Sequence, residues 1–112
     1  MLSKSKFILG QQCNKSFWFD VNKIEPTNPP DNGSLERLSA GNEVGDISKD
    51  LFPGGTEIPY LSGDQEKMFE LTKESINQGA TSIYEASFIF DDIFVRVDLM
   101  NKTEKGWDIY EV

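Results

Sequence analysis

Three carboxylates near the end of the chain, Glu85, Asp98 and Glu111, sit at spacings that can bring them together. From Ser82 onward, hydrophobic residues recur with a period of two, so Ile83 to Phe90, Ile93 to Met100 and Trp107 to Val112 read as three successive strands. If Asp91-Asp92 is a two-residue turn, Phe90 faces Ile93 and the register sets Glu85 opposite Asp98. If Thr103-Glu104-Lys105-Gly106 forms the next turn, Lys102 faces Trp107, which sets Asp98 opposite Glu111. The acids then form one row across one sheet face. Like charges directly opposite on neighbouring strands destabilise a sheet unless a cation lies among them. Arg96, on the same face, is one such cation, and a magnesium or manganese ion with hard oxygen ligands is the other. The contrary reading is a solvated face on which acids need no partner. Ile83, Phe94, Met100, Trp107 and Ile109 share that face and weigh against a fully wet surface, whereas a one-residue slip in register scatters the row.

The elements before this meander read as helices. Ser3 to Val21 reads as one or two short helices with serines available as caps. The proline-rich run Glu25 to Gly33 reads as a loop. A helix is expected from a Ser34 cap to about Phe52, its stripe being Leu35, Leu38, Val44, Ile47 and Leu51, with Gly41 and Gly45 weakening it and Pro53-Gly54-Gly55 ending it. Asp64 caps a further helix through Met68, Phe69, Leu71 and Ile76 to Gly79. Helices first and an antiparallel meander afterwards predict an α+β (mixed α/β) class. The segments are 1–24 helical, 25–33 loop, 34–79 helical and 82–112 meander, all in one domain.

Composition bounds the chemistry. The 112 residues include no histidine and a single cysteine, Cys13. A histidine-ligated zinc site, a Ser-His-Asp triad and an internal disulfide are therefore excluded within this sequence. The net charge of -8 argues against nonspecific binding to nucleic acid or membrane by the chain as a whole. No apolar run has the length of a membrane span or of a signal peptide's hydrophobic region, so a cytoplasmic location is expected. Use of the carboxylates as an acid/base pair on sugars is less attractive, because nothing else in the sequence indicates a sugar cleft.

The run Val95-Arg96-Val97-Asp98, a turn, then Trp107-Asp108-Ile109-Tyr110-Glu111-Val112 resembles the core of the PD-(D/E)XK nuclease superfamily. The branch it resembles is the RecB-like one that includes CRISPR adaptation exonucleases. Leu2 to Lys6, Cys13-Asn14-Lys15, Gly41 to Gly45, Leu51 to Gly55 and Tyr84 to Phe88 extend the likeness to a bacterial family of largely uncharacterised proteins. The resemblance implies a restriction-endonuclease-like core in which Asp98 and Glu111 are catalytic and hold magnesium or manganese, joined by Glu85. It also implies DNA as the substrate, cut by phosphodiester hydrolysis. The signature calls for a lysine two residues after Glu111, and after Glu111 this sequence carries only Val112. The expectation is the N-terminal part of a nuclease-like domain, inactive by itself, with an open strand edge that invites self-association. Asn42 falls where relatives often place a histidine ligand. Cys13 matches a cysteine that in some relatives joins three others around an iron–sulfur cluster, which one thiolate cannot hold. Read without the resemblance, Cys13 is a small buried hydrophobe. The alternative function is a non-catalytic interaction module.

Overall fold

The computed structural model describes residues 1–24 and 31–112, Leu38 by its backbone alone. Most of the expected proline-rich loop, residues 25–30, lies outside the described residues. The chain is α+β, with four helices and five strands in one mixed sheet among the described residues. Strand β1 (Leu2–Ser3) leads into α1 (Lys4–Gln12), then α2 (Asn14–Val21) and α3 (Asn32–Lys49). Strand β2 (Thr56–Glu57) and helix α4 (Gln65–Asn77) precede the meander of β3 (Ser82–Phe90), β4 (Ile93–Thr103) and β5 (Gly106–Tyr110).

The meander has the expected register as far as Leu99↔Tyr110, but β5 ends at Tyr110 rather than Val112, so Glu111 lies beyond the strand and Asp98↔Glu111 is not a ladder pair. Phe90 faces Ile93 and Tyr84 faces Leu99, while Lys102 faces Trp107 and Leu99 faces Tyr110. Asp91 and Asp92 both adopt positive φ, 48° and 62°, as a two-residue hairpin turn of the primed kind requires. The second turn is tighter than expected: Thr103 and Gly106 already pair, leaving Glu104-Lys105 as its tip, with the register unchanged.

Two short strands were not legible as strands. β2 pairs in parallel with β3 through Thr56↔Ile83 and Glu57↔Tyr84, and β1 pairs in parallel with β4 through Leu2↔Ile93 and Ser3↔Phe94. Two residues carry no period, so only their partners make them strands. Because β3 runs along one edge of β4, β1 and β5 share the other edge. β1 covers Ile93–Phe94 and β5 covers Leu99–Thr103, with Val95 to Asp98 between them.

Caps place the helices. Ser3 Oγ accepts from the Lys6 N–H at 3.3 Å and starts α1. For α3 the cap is Asp31, not Ser34: its Oδ1 accepts from the Ser34 N–H at 2.7 Å, and Asn32 and Gly33 join the first turn. A carboxylate there both satisfies a free donor and faces the positive end of the helix dipole. The expected stripe on α3 is not a core face. Val44, Ile47 and Leu51 are 53%, 66% and 68% exposed, because no described element packs over them.

Asp64 Oδ1 accepts from the Lys67 N–H at 3.0 Å and starts α4, and Gly79, at φ 86°, ends it. Replacing Asp64 with alanine is expected to cost about 1 kcal/mol, lowering the melting temperature by about 4 °C. An unchanged melt would show that this cap contributes nothing. α4 lays Met68 and Thr72 on the sheet, where they are buried with Ile58, Ile83, Ala86, Phe94, Val97 and Met100. Thr72 Oγ1 donates to the Met68 carbonyl at 3.0 Å and accepts the Ser87 N–H at 2.9 Å, which locks α4 to β3 and leaves neither group unpaired. The middle of β3 is buried on both faces, so Glu85 emerges from an otherwise dry strand.

Candidate metal centre

Glu85 departs from strand geometry. Its φ is +58°, although Tyr84↔Leu99 and Ala86↔Val97 continue the ladder on either side. A non-glycine residue in the left-handed region costs about 1 kcal/mol or more, and such strain clusters at functional sites. The side chain is 32% exposed, and its Oε2 lies 3.2 Å from Arg96 Nη2. Burial pushes the Glu85 carboxyl above the ordinary glutamate range. Arg96 opposes that shift, and Asp98 on the facing strand adds to it. The same Arg96 nitrogen donates to the Ile58 carbonyl at 3.2 Å, and the Tyr60 ring lies 5.2 Å from the guanidinium carbon.

Asp98 lies opposite Glu85 by register, and its Oδ2 accepts the Val112 N–H at 2.9 Å. Glu111 is drawn elsewhere, into an ion pair with Lys4 at the start of α1. That contact raises the Lys4 pKa above the ordinary lysine range. Two cavities result, with Asp98 bordering both. The first, about 540 Å³, is lined by Asn42, Asp46, Lys49, Glu57, Glu85 and Asp98 among others. The second, about 390 Å³, is lined by Lys4, Lys6, Tyr60, Arg96, Asp98 and Glu111 among others.

The expected row is therefore divided. Glu85 and Asp98 meet Asn42 around one cavity, and Glu111 faces the other. Among the described residues, no three acidic, cysteine or histidine side chains gather closely enough to hold an ion by themselves. Magnesium asks for less: it commonly takes one or two carboxylates and keeps water in its other positions. Glu85 and Asp98 supply two carboxylates to one cavity, with Asn42 also in its lining.

Arg96 takes the counter-cation place expected for it, against Glu85 rather than between all three acids. Lys49, Asp46 and Glu57 stand outside the set that the sequence indicates. Lys49 Nζ lies 2.8 Å from Glu57 and 3.1 Å from Asp46, and Glu57 is the main cause of its raised pKa. The three-residue spacing of Asp46 and Lys49 on one helix was the legible signal, whereas Glu57 needed the short strand β2.

Cys13 borders neither cavity. It is exposed rather than a buried hydrophobe, because it stands between α1 and α2 as the N-cap of α2. A hydrogen bond with the Ser16 side chain, then the backbone N–H groups of Ser16 and Lys15, lower its thiol pKa. A lone thiolate does not fit an iron–sulfur cluster.

Among the described residues, no helix is long and apolar enough to cross a membrane. Comparison with protein-family models, with curated proteins and with solved structures gives no match.

Proposed function

We propose that this chain supplies the acidic, metal-binding part of a cytoplasmic magnesium- or manganese-dependent DNA nuclease of the PD-(D/E)XK, RecB-like kind. The observation that carries the reading is Glu85. A half-buried carboxylate held in a left-handed backbone conformation, opposite a second carboxylate and beside a cavity, is an expensive arrangement for a residue with only a structural part. In this reading Glu85 and Asp98 hold the ion and Asn42 adds a carbonyl oxygen. Arg96 keeps the Glu85 carboxylate in place through its contacts with Oε2 and the Ile58 carbonyl. A bound divalent ion supplies polarisation of the phosphate and a bound water of lowered pKa. Glu111 joins this set only if it leaves Lys4. Residues 1–112 are expected to bind the ion without cutting DNA.

Titrating magnesium and then manganese against the isotopically labelled chain tests this. Amide shifts, or manganese broadening, should centre on Glu85, Asp98 and Asn42 at millimolar metal. No response there sinks the metal reading.

A second reading, a non-catalytic interaction module, has its own observation. The acids around the site already have cationic partners: Glu85 with Arg96, Glu111 with Lys4 and Glu57 with Lys49. Val44 and Ile47 on α3, and Leu51 just after it, are exposed apolar side chains. Self-association through an open strand edge belongs to this reading, and dimers in sedimentation that ignore added metal favour it.

A further inference from the structure

The second cavity has a different chemistry from the first. Lys4 and Lys6 from the first turn of α1 and Arg96 from β4 bring three cations to it, against the carboxylates of Asp98 and Glu111. Ser3, Ser5, Gln65 and Tyr60 add neutral hydrogen-bonding groups. Arg96 is held from behind: both of its protein contacts, to Glu85 and to the Ile58 carbonyl, use Nη2, and Tyr60 stacks against it. Its Nε is buried and has no acceptor among the described residues. The guanidinium thus reaches the cavity as a positioned cation held by Glu85, the Ile58 carbonyl and Tyr60. Neither lysine is tightly committed to a buried partner. Lys6 lies 3.6 Å from Asp20 across an exposed pair, and Lys4 meets Glu111 at the surface. Such exposed pairs contribute little and exchange readily for a better anion.

We propose that this cavity is a phosphate subsite, in which Lys4, Lys6 and Arg96 take the oxygens of a nucleotide phosphate one step along the strand from the ion held by Glu85 and Asp98. A phosphate oxyanion suits two mobile ammonium groups and one fixed guanidinium fork. Asp98, bordering both cavities, ties the subsite to the metal centre and sets the order of the two groups along a strand. The proposal rests on the nuclease reading only for what carries the phosphate, since the cations would take the same oxyanion from a free phosphate. Glu111 is then a competitor: it occupies Lys4 when no phosphate is present and must release it when one binds.

The test uses the full chain in EDTA, so that metal binding plays no part. Deoxythymidine monophosphate, inorganic phosphate and thymidine are titrated separately against labelled protein. The two phosphates should shift the amides of Lys4, Ser5, Lys6 and Tyr60 and the Arg96 side chain, and thymidine should not. Lys6→Ala should weaken deoxythymidine monophosphate by about tenfold, the loss of one charge-assisted hydrogen bond. Glu111→Gln should strengthen it by freeing Lys4, whereas the same variant strengthens no metal binding in a parallel titration without phosphate. A response to inorganic phosphate with none to the nucleotide identifies free phosphate as the occupant and overturns the strand assignment. Shifts equal in the parent, Lys6→Ala and Glu111→Gln, or no shift at all, overturn the subsite. The metal titration stands or falls separately.

Discussion

Gly55→Ala is expected to destabilise the fold by about 3 kcal/mol, lowering the melting temperature by about 12 °C. A Cβ at Gly55 would lie 2.5 Å from Cζ, 2.7 Å from the hydroxyl and 2.8 Å from Cε2 of Tyr84. The ring cannot step aside cheaply. Tyr84 is 6% exposed, and its hydroxyl donates to the Phe52 carbonyl and accepts the Gly55 N–H at 3.2 Å, with the Lys49 carbonyl also 3.2 Å away. This one side chain closes the C-terminal end of α3 and the Leu51 to Gly55 turn onto β3. Moving it forfeits hydrogen bonds as well as packing. Tyr84→Phe removes the bonds without the clash and should cost less than half as much. A thermal melt of the two variants separates these contributions, and a Gly55→Ala protein that melts with the parent would refute the contact.

Glu85→Gly should change stability in the opposite direction, raising it by about 1 kcal/mol at neutral pH, because glycine adopts φ near +58° without the penalty of a side chain. The same change should abolish binding of a divalent ion. The pH dependence has a definite sign. Glu85 is an acid whose folded-state pKa is raised, chiefly by burial, so the fold favours its protonated form. Its favourable contribution is fully present below the ordinary glutamate pKa and is lost as pH rises through the raised folded value. The advantage of Glu85→Gly over the parent should therefore be larger at pH 7 than at pH 4. Glu85→Gln keeps the backbone strain and removes the charge: it should share the pH dependence of that advantage but not the part that persists in acid. Melting curves at the two pH values measure both. A glycine variant less stable than the parent at both would show that the Arg96 contact outweighs strain and burial together.

The meander was legible because each of its properties repeats. Alternating apolar residues from Ile83 to Met100, with acids where a turn tolerates positive φ, fix a register that survives even the tighter second turn. The Asp64 helix was legible for the same reason, with its cap and its Gly79 stop. Short strands were not. Thr56–Glu57 and Leu2–Ser3 are strands only because β3 and β4 offer open backbone beside them, and that is a property of the assembled sheet. At the site, the register placed Glu85, Asp98 and Glu111 opposite one another but could not say where each carboxylate points. Lys4 is more than a hundred positions away in sequence from the Glu111 it captures, and no local pattern announces it. The left-handed backbone at Glu85 was equally silent, since glutamate is not a residue that signals positive φ.

The two-residue strand β1 has a kinetic consequence. It joins Leu2 to Ile93 and closes nearly the whole chain into a loop on very little ladder. So short a ladder gives a terminal segment little to hold it, so β1 and the first turn of α1 belong to the most easily opened part of the molecule. Opening carries Lys4 and Lys6 away from Arg96, while Glu85 and Asp98 stay on the central strands. The two cavities thus differ in lifetime. The carboxylates of one stand on the central strands, whereas the other also needs β1 and the first turn of α1 in place. A phosphate bridging Lys4, Lys6 and Arg96 binds the closed form alone and acts as a clasp, lengthening the intervals during which the chain's first strand stays in the sheet.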